Sequence, residues 1–141
     1  NNIFHLSGDL VTFLFFGGVI ELLFGWPLFI SVAAAGLWLS NPVTHKIMEA
    51  ILPYFSKQNW QHFLLEQDYG SSNATYAFVG AVAVLSKDSK FITRVFVICA
   101  LLICAAKESW LSVHHLTGFV LGWTVTNIWL HLKFKKANPS L

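Results

Sequence analysis

Two adjacent histidines, His114 and His115, are the residues of this chain with the clearest potential for chemistry. An imidazole titrates near neutral pH, so it can act as a nucleophile, as an acid or base, or as a ligand. The charged pair Lys107 and Glu108 precedes them, and an apolar run follows as far as residue 132. Ionisable groups beside such a run are costly in a membrane and usually have a partner or a function. The pattern predicts a polar site at one end of a long helix.

Other polar residues stand at the ends of other apolar runs. Lys46 lies near the end of one run, and Ser71 and Asn73 stand at the start of the next. In a bundle whose helices alternate in direction, these pieces and the histidines meet on one face. We therefore predict a polar groove there, formed by Lys46, Ser71, Asn73, Lys107, His114 and His115.

The composition indicates an integral membrane protein. Of 141 residues, 55% are hydrophobic and 11% are charged, whereas a soluble domain has about 25% charged residues. The mean hydropathy is +0.60. A net charge of +2 is too small to indicate a nucleic-acid partner.

Glycine, proline and polar residues divide the chain into apolar segments. They predict a single all-α domain, an integral membrane bundle of about five transmembrane helices. Pro42 is expected either to kink one long span or to begin a separate short helix. We favour the kinked span, because residues 27–39 alone would be only about 20 Å long. The polar segment 53–70 is expected to contain an interfacial helix. The predicted spans are 9–25, 27–50, 73–86, 91–107 and 113–132.

Small residues in the third and last spans predict close helix packing, because they let helices approach each other. These residues are Gly80, Ala81, Gly118 and Gly122. Cys99 and Cys104 lie five residues apart, a spacing that favours two reduced, buried thiols. No grouping of histidines, cysteines or carboxylates predicts a metal site.

Basic residues predict the orientation of the bundle. Positively charged loops favour the cytoplasmic, matrix or stromal side. With five spans, the connection before the fourth span and the C-terminus lie on that side, and residues 53–73 and 107–113 lie opposite. The basic residues concerned are Lys87, Lys90, Arg94, Lys133, Lys135 and Lys136.

The order of the polar pieces resembles the phosphatidic acid phosphatase and haloperoxidase superfamily. Its first signature has a lysine at the position of Lys46. Its second, Pro-Ser-Gly-His, aligns with residues 70–73 and retains Ser71. Its third, Ser-Arg, five residues, histidine, three residues and aspartate, places the nucleophilic histidine at His114. The resemblance covers roughly residues 40–132 and implies a helix bundle of that type.

Several residues required by the family's reaction are replaced in this chain. Asn73 stands in place of the acidic histidine, Lys107 and Glu108 in place of Ser-Arg, and Gly118 in place of the aspartate. Phosphoryl transfer needs the nucleophile, the acid and several cations around the phosphate. A carboxylate at Glu108 would repel phosphate. The resemblance therefore implies a pseudoenzyme.

The hypothesis from these residues is a non-catalytic accessory subunit of a larger membrane complex, with membrane lipids and other membrane subunits as partners. The alternative is a membrane lipid phosphate phosphatase that uses His114 as nucleophile and contacts phosphate through Lys46, Ser71 and Lys107. No cofactor is required. His114 and His115 could instead cap an interfacial helix or ligate a haem or pigment.

Two alternatives are expected for what fills the groove. Small residues could leave room in it for a lipid headgroup or acyl chain. Alternatively, segment 53–70 could close it by inserting Trp60 and Phe63. The triplet at residues 73–75 also forms an N-glycosylation sequence.

Overall fold

The structure is a computed structural model that describes residues 3–51, 71–107 and 111–137. In these parts the chain is all-α, and no residue forms a strand. The predicted interfacial helix in segment 53–70, with Trp60 and Phe63, lies outside the described residues, as does Glu108. Nothing in the structure therefore bears on closure of the groove by that segment.

Six α-helices and one π-helical turn make up the described chain. The α-helices are α1 (Ile3–Phe24), α2 (Trp26–Ala34), α3 (Ser40–Ile51), α4 (Ser71–Leu85), α5 (Ser89–Lys107) and α6 (Leu111–Ala137), and the π turn is Ala35–Leu39. The π turn joins α2 to α3, so the helix is continuous from Trp26 to Ile51.

The chain turns between α1 and α2 at Gly25. Its φ of 88° lies in the left-handed region, where a side chain would be strained and glycine is not. The Gly25 amide still donates to the Glu21 carbonyl at 2.9 Å, so α1 ends in a closed turn. Pro27 then occupies the first turn of α2, where its missing N–H costs nothing.

The irregularity in the long helix lies before Pro42, not at it. The Ser40 amide donates to the carbonyl of Ala35, five residues earlier. A proline ring removes a helical donor and crowds the preceding turn, and a π turn widens the helix just ahead of it. The turn also lies against α4, because a Cβ on Gly36 would come within 2.5 Å of the Ala74 Cα.

Helix α4 is the centre of the bundle and packs against α1, α2, α5 and most extensively α6. Its Phe78 is fully buried. The Phe78 ring centroid lies 5.0 Å from that of Phe13 and 5.3 Å from that of Phe29. The core around it consists of Ile20, Leu28, Val32, Ala77, Phe78 and Ala81.

The seam between α4 and α6 is built on glycines. A Cβ on Gly80 would overlap the Phe119 carbonyl oxygen, and one on Gly122 would overlap that of Ala77. Backbone therefore fills the space that these small residues were expected to leave for lipid. Ala81 is buried in the core cluster with Leu28 and Val32, so it does not line a groove either.

Large apolar side chains remain exposed along the helices. Leu22 is 86% exposed and Trp38 is 74% exposed, and others occur on α1, α2, α5 and α6. Among the described residues, the helix Trp26–Ile51 is long and apolar enough to cross a membrane. The prediction that Cys99 is buried is wrong: its thiol is free and exposed, because it faces outward from α5.

Candidate functional site

The predicted site lies at the end of the bundle where α4 and α6 begin. Asn73, His114 and His115 all lie in the first turns of these two helices. Ser71 begins α4 and Lys107 ends α5, but their side chains lie outside the described ones. The geometry of the site therefore rests on Lys46, Asn73 and the two histidines.

His114 is buried between α6 and α3. Only 3% of it is exposed, and its ring centroid lies 6.3 Å from that of His45 in an edge-to-face arrangement. Its backbone carbonyl accepts a 3.5 Å hydrogen bond from the Ser40 hydroxyl. A nucleophile must reach its substrate, so this position favours a packing role for His114 over attack on a phosphate.

His115 is held by two neighbours on α4. Its Nε2 lies 2.7 Å from the Ser72 Oγ, and its ring stacks on that of Tyr76, with centroids 4.1 Å apart. A serine within hydrogen-bond reach of a histidine is the geometry of an activated nucleophile. Ser72, however, is almost completely buried, so the pair joins α4 to α6 and does not face a substrate.

Asn73 is fully buried at the start of α4. Its Nδ2 donates to the Asn41 Oδ1 at 2.9 Å, and among the described residues its Oδ1 has no hydrogen-bond partner. An amide cannot supply the proton that an acidic histidine would give. A glycan attached to Asn73 would not fit at this buried position, so the fold is incompatible with glycosylation of the triplet at 73–75.

Lys46 does not join the histidines. Its Nζ lies 2.6 Å from the Glu49 Oε2, and the two side chains are 78% and 52% exposed. The buried face of α3 is formed by Ser40, Thr44 and Met48. The prediction that Lys46 lines the groove is wrong, because the rotation of α3 carries it outward to a local carboxylate.

Gly118 lies against the backbone of α4 and leaves no space for a side chain. A Cβ at this position would come within 2.6 Å of the Asn73 carbonyl oxygen. An aspartate side chain would therefore push α6 away from α4 near the start of the two helices. The same contact that joins the helices excludes the carboxylate from the site.

Four further residues contribute side chains to this end and were not predicted as site residues from the sequence: Asn41, His45, Ser72 and Tyr76. Asn41 and His45 are four residues apart on α3, and Ser72 and Tyr76 are four apart on α4. Residues at this spacing share a helix face, which was a usable signal for pairing them with α6.

No group of three or more histidine, cysteine or carboxylate side chains that could hold a metal ion occurs in the described parts of the chain. His114 and His115 both contact neighbouring rings. A haem or pigment would have to displace these contacts to reach either imidazole.

Comparison of the chain with protein-family models, curated proteins and solved structures gives no match. The resemblance to the phosphatidic acid phosphatase superfamily therefore rests on the residues quoted above.

Proposed function

We propose that this chain is a non-catalytic, phosphatase-like integral membrane protein that serves as a structural or accessory subunit of a larger membrane complex. The observation that carries the proposal is the distribution of its side chains. Large apolar residues are exposed on the helices, whereas Ser40, Thr44 and Asn73 are fully buried. Exposed apolar patches of this extent fit lipid or partner subunits better than water.

The absence of catalysis is supported by the state of the residues that resemble the phosphatase signatures. His114 is enclosed, Asn73 bonds to Asn41, Lys46 is paired with Glu49, and Gly118 has no space for a carboxylate. Loss of one group that stabilises a transition state costs about 10²–10³ in rate. The combined replacements favour a structural role for the site.

The accessory role is supported by large apolar side chains that remain exposed at two places on the bundle. Leu22, Leu23 and Trp26 are well exposed around the Gly25 turn, and Trp38 is exposed beside the π turn. Aromatic residues are enriched where subunits meet. These two places are our candidates for contact with other membrane subunits.

Phosphate release tests the absence of catalysis. The full chain in bilayers is incubated with lipid and isoprenoid phosphates, beside His114→Ala as a matched control. We expect no release above that of the variant. Release that disappears in His114→Ala would establish the phosphatase alternative instead.

Photo-crosslinking tests the accessory role. A photoreactive amino acid replaces Trp38 in the native membrane, with Lys135, exposed near the end of α6, as the control position. We expect a discrete protein adduct from position 38, formed with an integral membrane protein. Adducts with lipid alone at position 38 would contradict the proposal.

A further inference from the structure

The end of the bundle opposite the histidines carries a concentration of cations. Asn73 contacts Gly118, and four residues further along both helices Ala77 contacts Gly122. Helices α4 and α6 are therefore parallel, and their C-terminal ends share one end of the bundle. Leu85 and Trp129 accordingly pack on the same core cluster.

Six basic side chains lie at or toward this end, and all of them are exposed. They are Lys87, Lys90, Arg94, Lys133, Lys135 and Lys136. Two exposed carboxylates, Glu21 and Asp88, lie at the same end, which leaves a surplus of four positive charges. In the described parts of the chain, none of the six cations forms an ion pair.

The opposite end differs, because Lys46, the cation described on α3, is paired with Glu49. Among the residues that the structure describes, the unpaired positive charge is therefore concentrated at the end where α6 finishes. We call the six basic residues the basic end.

Apolar and aromatic side chains alternate with the cations of the basic end. Phe91 follows Lys90 and is 69% exposed, and Phe134 follows Lys133 and is 65% exposed. The Lys133 Nζ lies 4.6 Å from the centroid of the Trp129 ring. This is a cation–π contact, and basic and aromatic side chains are found together at membrane interfaces.

We propose that the basic end binds the anionic headgroups of membrane lipids, with the adjacent aromatic rings at the level of the upper acyl chains. The charge surplus attracts the headgroup, and the exposed Phe91 and Phe134 contact the chain beneath it. The inference rests on the proposed membrane location, but it does not depend on the accessory role or on the absence of catalysis.

Spin-labelled lipids provide the test. The full chain is reconstituted in phosphatidylcholine bilayers containing spin-labelled phosphatidylglycerol or spin-labelled phosphatidylcholine, and the motionally restricted fraction is measured for each. One near-surface lysine contributes about a fivefold preference for anionic lipid. We expect phosphatidylglycerol to be preferred by about that factor or more, and the preference to fall in 1 M salt, which screens the charges.

Two variants localise the effect. Replacing Lys133, Lys135 and Lys136 together by glutamine lowers the surplus at the basic end from four positive charges to one and should reduce the preference several-fold. Lys46→Gln, at the other end of the bundle, should leave it unchanged. Both changes are at exposed positions, so folding is not at risk.

Equal restricted fractions for the two lipids, or a preference that the triple substitution leaves unchanged, would overturn the inference. Equal fractions are also the result expected if the basic end is reserved for an acidic protein segment. A chain that restricts neither lipid is not in the bilayer at all, and that result would overturn the proposed function itself.

Discussion

Gly122→Ala adds a single methyl group, and we expect it to destabilise this bundle strongly for so small a change. A Cβ at position 122 would overlap the carbonyl oxygen of Ala77 and come within 2.7 Å of its Cα, whereas ordinary contact begins at 3.4 Å. Both obstacles are backbone atoms in a helix, so neither can rotate away. Helices α4 and α6 must separate by at least 0.9 Å, because the Ala77 carbonyl carbon would lie only 2.5 Å from the same Cβ.

The energetic cost follows from that separation. A gap of 0.5–1 Å forfeits roughly a quarter to a half of each dispersion contact across the seam. Overpacking of this kind typically costs about 1–3 kcal/mol. Alanine gains up to about 1 kcal/mol over glycine in helix propensity, which offsets part of the loss. We expect a net destabilisation of about 1–2 kcal/mol.

The assay is reversible unfolding in mixed micelles, followed by circular dichroism as the denaturing detergent is increased. Gly18→Ala is the matched control, because a Cβ at position 18 meets nothing within 4 Å. We expect Gly18→Ala to be neutral or stabilising and Gly122→Ala to be destabilised. Equal stability of the two variants would refute the close approach of α4 and α6 at Gly122.

Three further predictions concern the polar end. Asn41→Ala leaves the buried Asn73 amide without its acceptor and should lower the free energy of unfolding by about 1–3 kcal/mol in the same assay. Asn127→Ala, at an exposed amide, is the control and should cost less. Equal losses in the two variants would contradict the buried pair of Asn41 and Asn73. Lys46→Gln should change stability by less than about 1 kcal/mol, since exposed ion pairs contribute little, and a larger loss would mean that Lys46 has a buried partner. Expressed in glycosylating cells, the chain should carry no glycan at Asn73, and a glycosidase-sensitive shift in mass assigned to that residue would contradict its burial.

Helix content was predictable because it depends on local patterns. Apolar runs separated by Gly25 and by the polar residues 86–90 correspond to the ends of α1 and α4. The all-α class is confirmed. The break expected at Pro42 was displaced to Ala35–Leu39, since a helix can relieve the strain of a proline one turn earlier.

Side-chain pairing was not predictable to the same degree. Lys46 was assigned to the groove from its position near a helix end. The rotation of α3 about its own axis decides whether the Lys46 side chain meets Glu49 or the histidines. The contact between Ser72 and His115 joins residues 43 apart in sequence and depends on the register of two helices, which no local pattern specifies. Small residues at Gly118 and Gly122 were predicted to pack, yet the same residues could not also leave space for lipid.

We propose that this chain works as one subunit of a membrane assembly. Purification of the full chain from its native membrane in mild detergent, followed by mass determination and identification of its components, tests this proposal directly. We expect a particle far larger than the 15.8 kDa chain, with other membrane proteins present in fixed proportion. Recovery of a lone monomer under conditions that keep neighbouring complexes intact would contradict it.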